Sequence, residues 1–513
     1  VIHTVRLYRE MYVDSVVQLS GTRALFGVEG VEWASAAMAT PGNVATLEKE
    51  GFAVEELADA GANDLFIAVR AVSADVADAA REVGENALFA VGRREEAGPA
   101  GRRRARTLQE AVDRQPGSTV AVVSVPGDYA ALEAHKALSA GLHVLLFSDN
   151  VSIEDEIALK DRAAGLGRLV MGPGAGTAML GGTCLGFANV VTAGRVAVVA
   201  AAGTGAQEAA TLLDRWGIGV AQVIGLGGRD LSARVGGRMA LTAVRGLVAH
   251  PDVDAILLVS KPPDVGVARE VLAAAGGTPL FAALVGVPED FPAPDGVTVT
   301  RTLEAGAVAA VRAMGGAEPD VCGGLAEEVR ARSAGLPSER RLVRGLFSGG
   351  TLCYESLVVL ADVLGDVYSN TPLVADLAVP APAHAHTCLD LGEEEYTQGR
   401  PHPMIDPAAR IDLLREQGTD PEVAAIVLDV VLGYGAHADP AAELAPVCAR
   451  ITANGGPCVV VYVLGTDRDP QGLQQQRRAF ADAGCLVTAT AARASLAAAA
   501  IARRDPALAE KTL

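Results

Sequence analysis

Residues Gly194 to Lys261 run strand, glycine turn, helix, strand, glycine turn, helix, strand, and that order commits this part of the chain to a parallel α/β sheet. Val196 to Ala200 is a continuous apolar run, the pattern of a strand buried on both faces. The turn Gly203-Thr204-Gly205 follows and predicts a helix over about Gln207 to Arg215, stopped by Gly217. Val220 to Gly225 reads as the next strand and Gly227-Gly228 as the next turn. Ala255 to Ser260 then delivers Lys261, Pro262 and Pro263 at its carboxyl end, where open α/β sheets take ligands. A helix opened by glycines leaves backbone N–H groups unpaired, and the helix dipole favours an anion there. The same glycines also serve simply to relieve crowding at a strand-to-helix turn.

The plan recurs further on. Leu342 to Phe347 is a strand, Ser348-Gly349-Gly350-Thr351 a glycine turn, and a helix is predicted to Leu364. Ala424 to Val431, Cys458 to Leu464 and Cys485 to Ala489 read as further strands. The chain thus carries an internal repeat of about 150 residues, expected as two flavodoxin-like domains at 190–320 and 340–513, packed face to face. Three helix N-termini stand out as anion sites: Gly203 to Gly205, Ser348 to Thr351, and Gly433-Tyr434-Gly435. Residues 107–189 read as half of a Rossmann-like domain, with strands Thr119 to Val125, His143 to Phe147 and Arg168 to Met171. Residues 1–97 alternate strand and helix, with strands Thr4 to Tyr8, Val31 to Met38 and Leu65 to Ala71, and suggest a small β-α-β domain. Its turn Ala39 to Asn43 serves either as a ligand loop or as a helix start using Pro and Asn. Gly98 to Arg106 is a basic, Gly- and Pro-containing linker, of a composition that marks a solvated loop.

Composition narrows the functions. A net charge of −19 over 513 residues argues against nucleic acid or an anionic membrane surface as partner. Seven cysteines with no CxxC pair suit a reducing compartment. No signal peptide is visible and no apolar run reaches membrane-spanning length, so a cytoplasmic protein is expected. Lysine occurs only at positions 49, 136, 160, 261 and 511, which makes Lys261 at a strand end conspicuous.

The stretch from Gly194 resembles the α subunit of succinyl-CoA synthetase. LVMGPGAGTAMLGG (Leu169 to Gly182) sits where that family has a GPNCPG loop, and Asp390 to Gly435 is similar to the ligase domain of its β subunit. With VRLYREMYVDS at the front, SKPP, SGGTLCYE and GRPHPMIDP later, the whole chain resembles the FdrA family. The resemblance implies a Rossmann-like domain of the CoA-binding type followed by two ligase domains with parallel sheets. It also implies that one helix from each ligase domain points at a shared phosphate, the matching positions lying around Gly203 to Gly205 and Gly433 to His437.

The chain departs from the synthetases in three places. Phe281 to Pro292 has no histidine where they carry a phosphohistidine, Ser260-Lys261-Pro262-Pro263 replaces its glutamate partner, and the GxTGxxG loop is missing. What remains is a phosphate cradle beside a cation, Lys261. His402 or His437 is then the candidate to move a proton. Arg400, in Arg400-Pro401-His402-Pro403-Met404-Ile405-Asp406-Pro407, can grip a carboxylate, or can pair with Asp406 to cap the next helix. His384, His386 and Cys388 alternate as if on one strand face, but without an evident fourth ligand, and no metal is assigned.

The FdrA resemblance implies a subunit of an oxamate carbamoyltransferase in purine-ureide (allantoin) catabolism, cleaving oxalurate with phosphate into oxamate and carbamoyl phosphate. It would act on a small carboxylate and phosphate, with companion subunits and as a homo-oligomer. CoA and ATP belong to the alternative, an acid–CoA ligase, and a metabolite-binding scaffold without catalysis is the third reading.

Overall fold

Strands Ala255–Ser260 and Val423–Val431 have no exposed residue, because each lies inside a parallel sheet with helices on its faces. The computed structural model describes residues 2–513, apart from 12, 14, 55–56, 62, 97–104 and 398–400. These residues form two compact units, 1–106 with 394–402, and 107–393 with 403–513.

In the first unit, strands Ile2–Tyr8 and Val31–Met38 both pair antiparallel with Leu65–Ala71, which lies between them. The small β-α-β arrangement is therefore split, with the third strand inserted and reversed. Helices Ser15–Phe26 and Ala74–Glu96 cover one sheet face. They approach closely through paired glycines: a Cβ on Gly21 would meet Leu88 at 2.5 Å, and one on Gly84 would meet Leu25 at 2.5 Å.

The second unit holds three sheets. Val120–Val123, His143–Leu146 and Val170–Met171 form a three-stranded parallel sheet. The first large sheet runs Val297–Thr300, Leu280–Leu284, Ala255–Ser260, Ala193–Ala200, Val220–Gly225, with parallel pairing throughout. An edge hairpin, Thr177–Leu180 and Thr183–Gly186, adds to it antiparallel. The second large sheet runs Leu486–Thr488, Cys458–Leu464, Val423–Val431, Leu342–Phe347, His386–Asp390, Val367–Tyr368, all parallel. Five strands follow the same order in both large sheets, so the repeat read from the glycine turns is a repeat of topology. One apolar core of mostly Ala, Val and Leu spans both large sheets.

Buried ion networks brace this unit, among them Lys160 with Glu156 and Asp230, and Arg410 with Asp429. Lys160 and Glu156, on helix Ile153–Gly165, are fully buried with Asp230. Lys160 Nζ donates to Glu156 at 2.7 Å, Asp230 at 2.8 Å and the Leu226 carbonyl at 2.9 Å, which uses all three ammonium donors. Asp230 in turn accepts the Ala240 N–H at 2.9 Å at the start of helix Arg238–Val248. The second network, Arg410 with Asp429, belongs to the candidate site.

Candidate functional site

Two helices of the repeat meet at their N-termini. Helix Gly203–Arg215 follows strand Ala193–Ala200, and helix Gly350–Leu364 follows Leu342–Phe347. The Thr351 N–H donates to Thr204 Oγ1 at 3.3 Å. Glycine permits this approach: a Cβ on Gly205 would lie 2.8 Å from Thr351 Cγ2 and 2.9 Å from Val259 Cγ1, and one on Gly349 would lie 2.8 Å from Thr204 Cγ2. Gly203, by contrast, faces open space. Gly205→Val is therefore expected to destabilise the fold by about 1–3 kcal/mol through overpacking, while Gly203→Ala stays within about 0.5 kcal/mol. Urea denaturation of the two variants separates them.

The amides of the two turns differ in use. The Ser348 and Gly349 N–H groups each donate at 2.8 Å to the Asp429 carboxylate, which also accepts the Ser348 hydroxyl at 3.1 Å. Asp429 is fully buried and is held from behind by Arg410, whose Nη2 donates to Oδ1 at 2.8 Å and whose Nε donates to the Leu346 carbonyl at 3.1 Å. Two donors read from sequence as an open cradle thus already hold an internal anion. The Gly203, Thr204 and Gly205 N–H groups have no acceptor among the described residues, so that turn is the open one.

Lys261 lies beside this junction. Its Nζ sits 5.3 Å from the centroid of the Tyr354 ring, a cation–π distance, and Tyr354 is in the first turns of helix Gly350–Leu364. Asp390, the last residue of its strand, is buried, with Oδ2 only 2.4 Å from the position of a Cβ on Gly350. Burial pushes its carboxyl up to about 6, against the pull of the Gly392 N–H and of the Lys261 charge. The structure therefore brings the Gly203 turn together with Thr204, Gly350 and Thr351 at the carboxyl ends of parallel strands, with Asp390 against Gly350 and Lys261 over the Tyr354 ring.

The other candidates fall elsewhere. No helix starts at Gly433-Tyr434-Gly435; the next is Pro440–Ala453, capped by Asp439. Asp followed by Pro is the stronger start signal, and it wins over the glycines. Gly433 and Gly435 have φ of 109° and 86°, and a Cβ on them would strike the Ala188 carbonyl at 2.4 Å and the Phe187 ring at 2.7 Å. The Gly433 N–H is taken by Gln471 at 3.0 Å. The helix facing the Gly203 turn is thus Gly350–Leu364, not one following Gly433.

His437 organises its own loop: Nδ1 accepts the Asp439 N–H at 3.1 Å, and Nε2 lies 3.1 Å from Glu443. Asp406 accepts the Ala408 N–H at 2.9 Å, beside the start of helix Ala408–Thr419. His402 belongs to the first unit, and Arg400 lies outside the described residues. His384, His386 and Cys388 do not converge. His384 pairs with Glu422, His386 Nδ1 accepts the Val343 N–H at 3.1 Å, and Cys388 Sγ lies 3.6 Å from Cys353 Sγ. Among the described residues no group of three or more His, Cys, Asp or Glu is placed to hold a metal. Sequence reading missed Asp390, Asp429 and Arg410. One signal was available in part: Gly203-Thr204 and Gly350-Thr351 are each followed at the same spacing by a glutamate, Glu208 and Glu355.

Comparison with known proteins bears on this geometry. Residues 346–501, which include the Gly350 turn and most of the second large sheet, match the CoA-ligase family. Residues 2–105 match the AllF heavy metal-associated domain. The uncharacterized protein YahF of Escherichia coli is 39% identical over 500 residues, covering 94% of this chain and 96% of YahF. The chain belongs to the YahF family. A shorter relative of this YahF-family chain is succinate–CoA ligase [ADP-forming] subunit alpha 2 of Archaeoglobus fulgidus, 29% identical over 126 residues, 24% of this chain and 44% of the relative. Among solved structures, acetyl-coenzyme A synthetase 1 of Ca. Korarchaeum cryptofilum, in complex with phosphate and ADP, overlaps at a TM-score of 0.28. It is 14% identical and covers 77% of this chain and 85% of its own. ATP citrate lyase from Methanothrix soehngenii overlaps at 0.31, with 19% identity over 42% of this chain and 38% of its own.

The family description of the first unit raises a metal, and the residues do not fit one. Residues 2–105 contain no cysteine and one histidine, His3, whose Nδ1 is engaged with the Gly51 carbonyl at 3.0 Å. Soft metals need thiolate or several imidazole ligands, which this segment lacks. Among the described residues no helix is long and apolar enough to cross a membrane.

Proposed function

We propose that this YahF-family chain binds phosphate at the Gly203 turn and uses it to cleave a carbamoyl group from a small ureido acid, oxalurate, as an FdrA-type subunit of an oxamate carbamoyltransferase. The observation that carries the reading is the open Gly203-Thr204-Gly205 turn, set against a second helix N-terminus with Lys261 alongside. Preorganised N–H donors and a cation suit a phosphate that becomes a nucleophile without a phosphohistidine. In this scheme a phosphate oxygen attacks the carbamoyl carbon. The C–O bond forms, the C–N bond to the oxamate nitrogen breaks, and that nitrogen takes a proton as it leaves. Oxamate and carbamoyl phosphate are the products. Asp390, buried beside Lys261, replaces His437 as the group positioned to deliver the proton, since the His437 ring is engaged within its loop. The AllF match of the first unit supports a place in ureide metabolism.

A second reading, formation of a CoA thioester from a carboxylic acid, draws on the CoA-ligase match over residues 346–501. It lacks a histidine in Phe281 to Pro292, and a partner chain would have to supply the phosphate relay. The two are separated by incubating the protein with oxalurate and phosphate and measuring carbamoyl phosphate. Lys261→Ala is expected to lower that product by at least about 100-fold, the scale of one lost electrostatic stabiliser, with an unchanged unfolding midpoint. Equal turnover in the variant would remove Lys261 from the mechanism.

A further inference from the structure

The two helices that meet at Thr204 and Thr351 each carry a buried glutamate at the same position, Glu208 and Glu355. Each reaches across to the other large sheet. Glu355 accepts the Leu303 N–H at 2.6 Å, the first amide of helix Leu303–Ala313, which belongs to the first large sheet. Glu208 faces the Ala491 amide, which begins helix Ala491–Arg503 of the second, and it accepts the Tyr462 hydroxyl at 2.5 Å. Thr302 and Thr490 cap these same two helices. The arrangement is paired: Glu355 caps a helix of the opposite half, and Glu208 faces the amide that begins the counterpart helix.

Both carboxyl groups are in excess of their partners. Among the described residues, Glu208 Oε1 and Glu355 Oε2 are buried with no hydrogen-bond partner. The charged and titratable groups around them are few. Tyr462 and Arg215 face Glu208, and Arg215 is spent on the Tyr462 hydroxyl at 3.2 Å and the Ala489 carbonyl at 2.7 Å. Glu304 faces both glutamates. Its own charge is met by Arg493, with Nε 3.0 Å from both carboxylate oxygens, and by the Thr490 hydroxyl at 2.5 Å. Glu208 also acts on Glu355. Arg215 still acts on Glu208, and Arg477 stands behind Tyr462 and Arg215, whereas Glu355 faces the carboxylates of Glu208 and Glu304 and two backbone N–H groups, and a buried anion without a partner is strongly disfavoured.

We infer that Glu208 and Glu355 are positioning residues that hold the two cradle helices in register as neutral carboxylic acids, so that the phosphate site assembles when they are protonated and loosens when they ionise. The inference rests on the phosphate reading for its ligand but not for its proton. Burial, as the largest cause, pushes Glu208 up to about 7 and Glu355 up to about 8, from 4.5 for an exposed glutamate. The folded state then keeps protons that the unfolded state releases above 4.5. That stability is complete below the unfolded value and is lost as pH rises through 7 to 8. Asp390 contributes a loss of the same sign, lower, near 6.

The test uses the full chain as wild type, Glu355→Gln and Glu208→Gln. Urea midpoints are measured from pH 5.5 to 9, and the affinity for inorganic phosphate is measured at pH 6.5 and 8.5. Glutamine keeps the shape and the acceptor oxygen and cannot ionise. The wild type is expected to lose stability as pH passes 7 to 8, and to bind phosphate about tenfold more weakly at pH 8.5 than at 6.5. Glu355→Gln should flatten the upper part of the stability curve and restore affinity at pH 8.5. If it fails to fold, Glu208→Gln gives the same readout one unit lower. A wild-type curve flat across pH 7 to 8, or variants whose curves run parallel to it, overturns the inference. A stability loss that glutamine removes, with no phosphate binding at any pH, leaves the neutral carboxyl pair standing and defeats the phosphate reading.

Discussion

Arg410→Met is expected to destabilise the protein by about 3–5 kcal/mol, the cost of stripping one partner from a buried ion pair. Arg410 and Asp429 are both fully or almost fully buried, 2% and 0% exposed, and Arg410 bonds to Asp429, Leu346 and Ser348. Burial lowers the Arg410 guanidinium below its usual range, and the Asp429 charge pulls it back. Without Arg410 the Asp429 carboxylate keeps, among the described residues, the Ser348 and Gly349 groups as partners. The turn that sets helix Gly350–Leu364 against Thr204 should therefore shift as well. Urea unfolding gives the energy. A loss below about 1 kcal/mol, the scale of an exposed pair, would show that the pair is solvated.

Lys160→Met carries the second large expectation, again about 3–5 kcal/mol. It leaves Glu156 and Asp230 buried with one ammonium fewer, since Lys160 is fully buried and bonds to both. Arg229 stands 2.9 Å from Glu156 Oε2 but is itself 42% exposed, so it offsets part of the loss for Glu156 and none for Asp230. Asp230 also accepts the Met239 and Ala240 N–H groups, and helix Arg238–Val248 should fray with it. Because the network joins the three-stranded sheet layer to the first large sheet, protease cleavage should rise near residues 226–237. A triple replacement by apolar residues is expected to recover most of the stability, as buried ion networks often allow.

Much of the fold was legible because parallel strands buried on both faces leave a simple mark. Val196 to Ala200, Ala255 to Ser260 and Ala424 to Val431 are apolar runs followed closely by glycine, lysine or proline, and all three are strands near those bounds. The reversal of Leu65–Ala71 in the first unit was not legible, since pairing direction is set by which neighbours the strand finds and not by its own side chains. Gly433 and Gly435 misled for a related reason. Glycine marks close approach as readily as it marks a helix start, and here Phe187 and Ala188 are the neighbours that crowd the loop. Asp429 sits within an apolar strand and Asp390 at the end of a mixed one, where sequence alone does not say that one is bound by backbone amides and the other is buried against Gly350. The glutamates at Glu208 and Glu355 look like ordinary helix residues. Their matched spacing after Gly-Thr is the one trace in the sequence, and their burial across the interface of the two halves is what gives it meaning.

Thermal unfolding against a ligand panel decides whether the open turn at Gly203 is a phosphate site. The panel holds inorganic phosphate, carbamoyl phosphate, oxamate, CoA and ATP, each with wild type and Lys261→Ala. A ligand at about 100 times its Kd stabilises the native state by about 2.7 kcal/mol. Phosphate and carbamoyl phosphate are predicted to raise the wild-type melting temperature and to leave Lys261→Ala unmoved, with no response to CoA. A shift with CoA and none with phosphate or carbamoyl phosphate would contradict the account and return the chain to CoA-thioester chemistry.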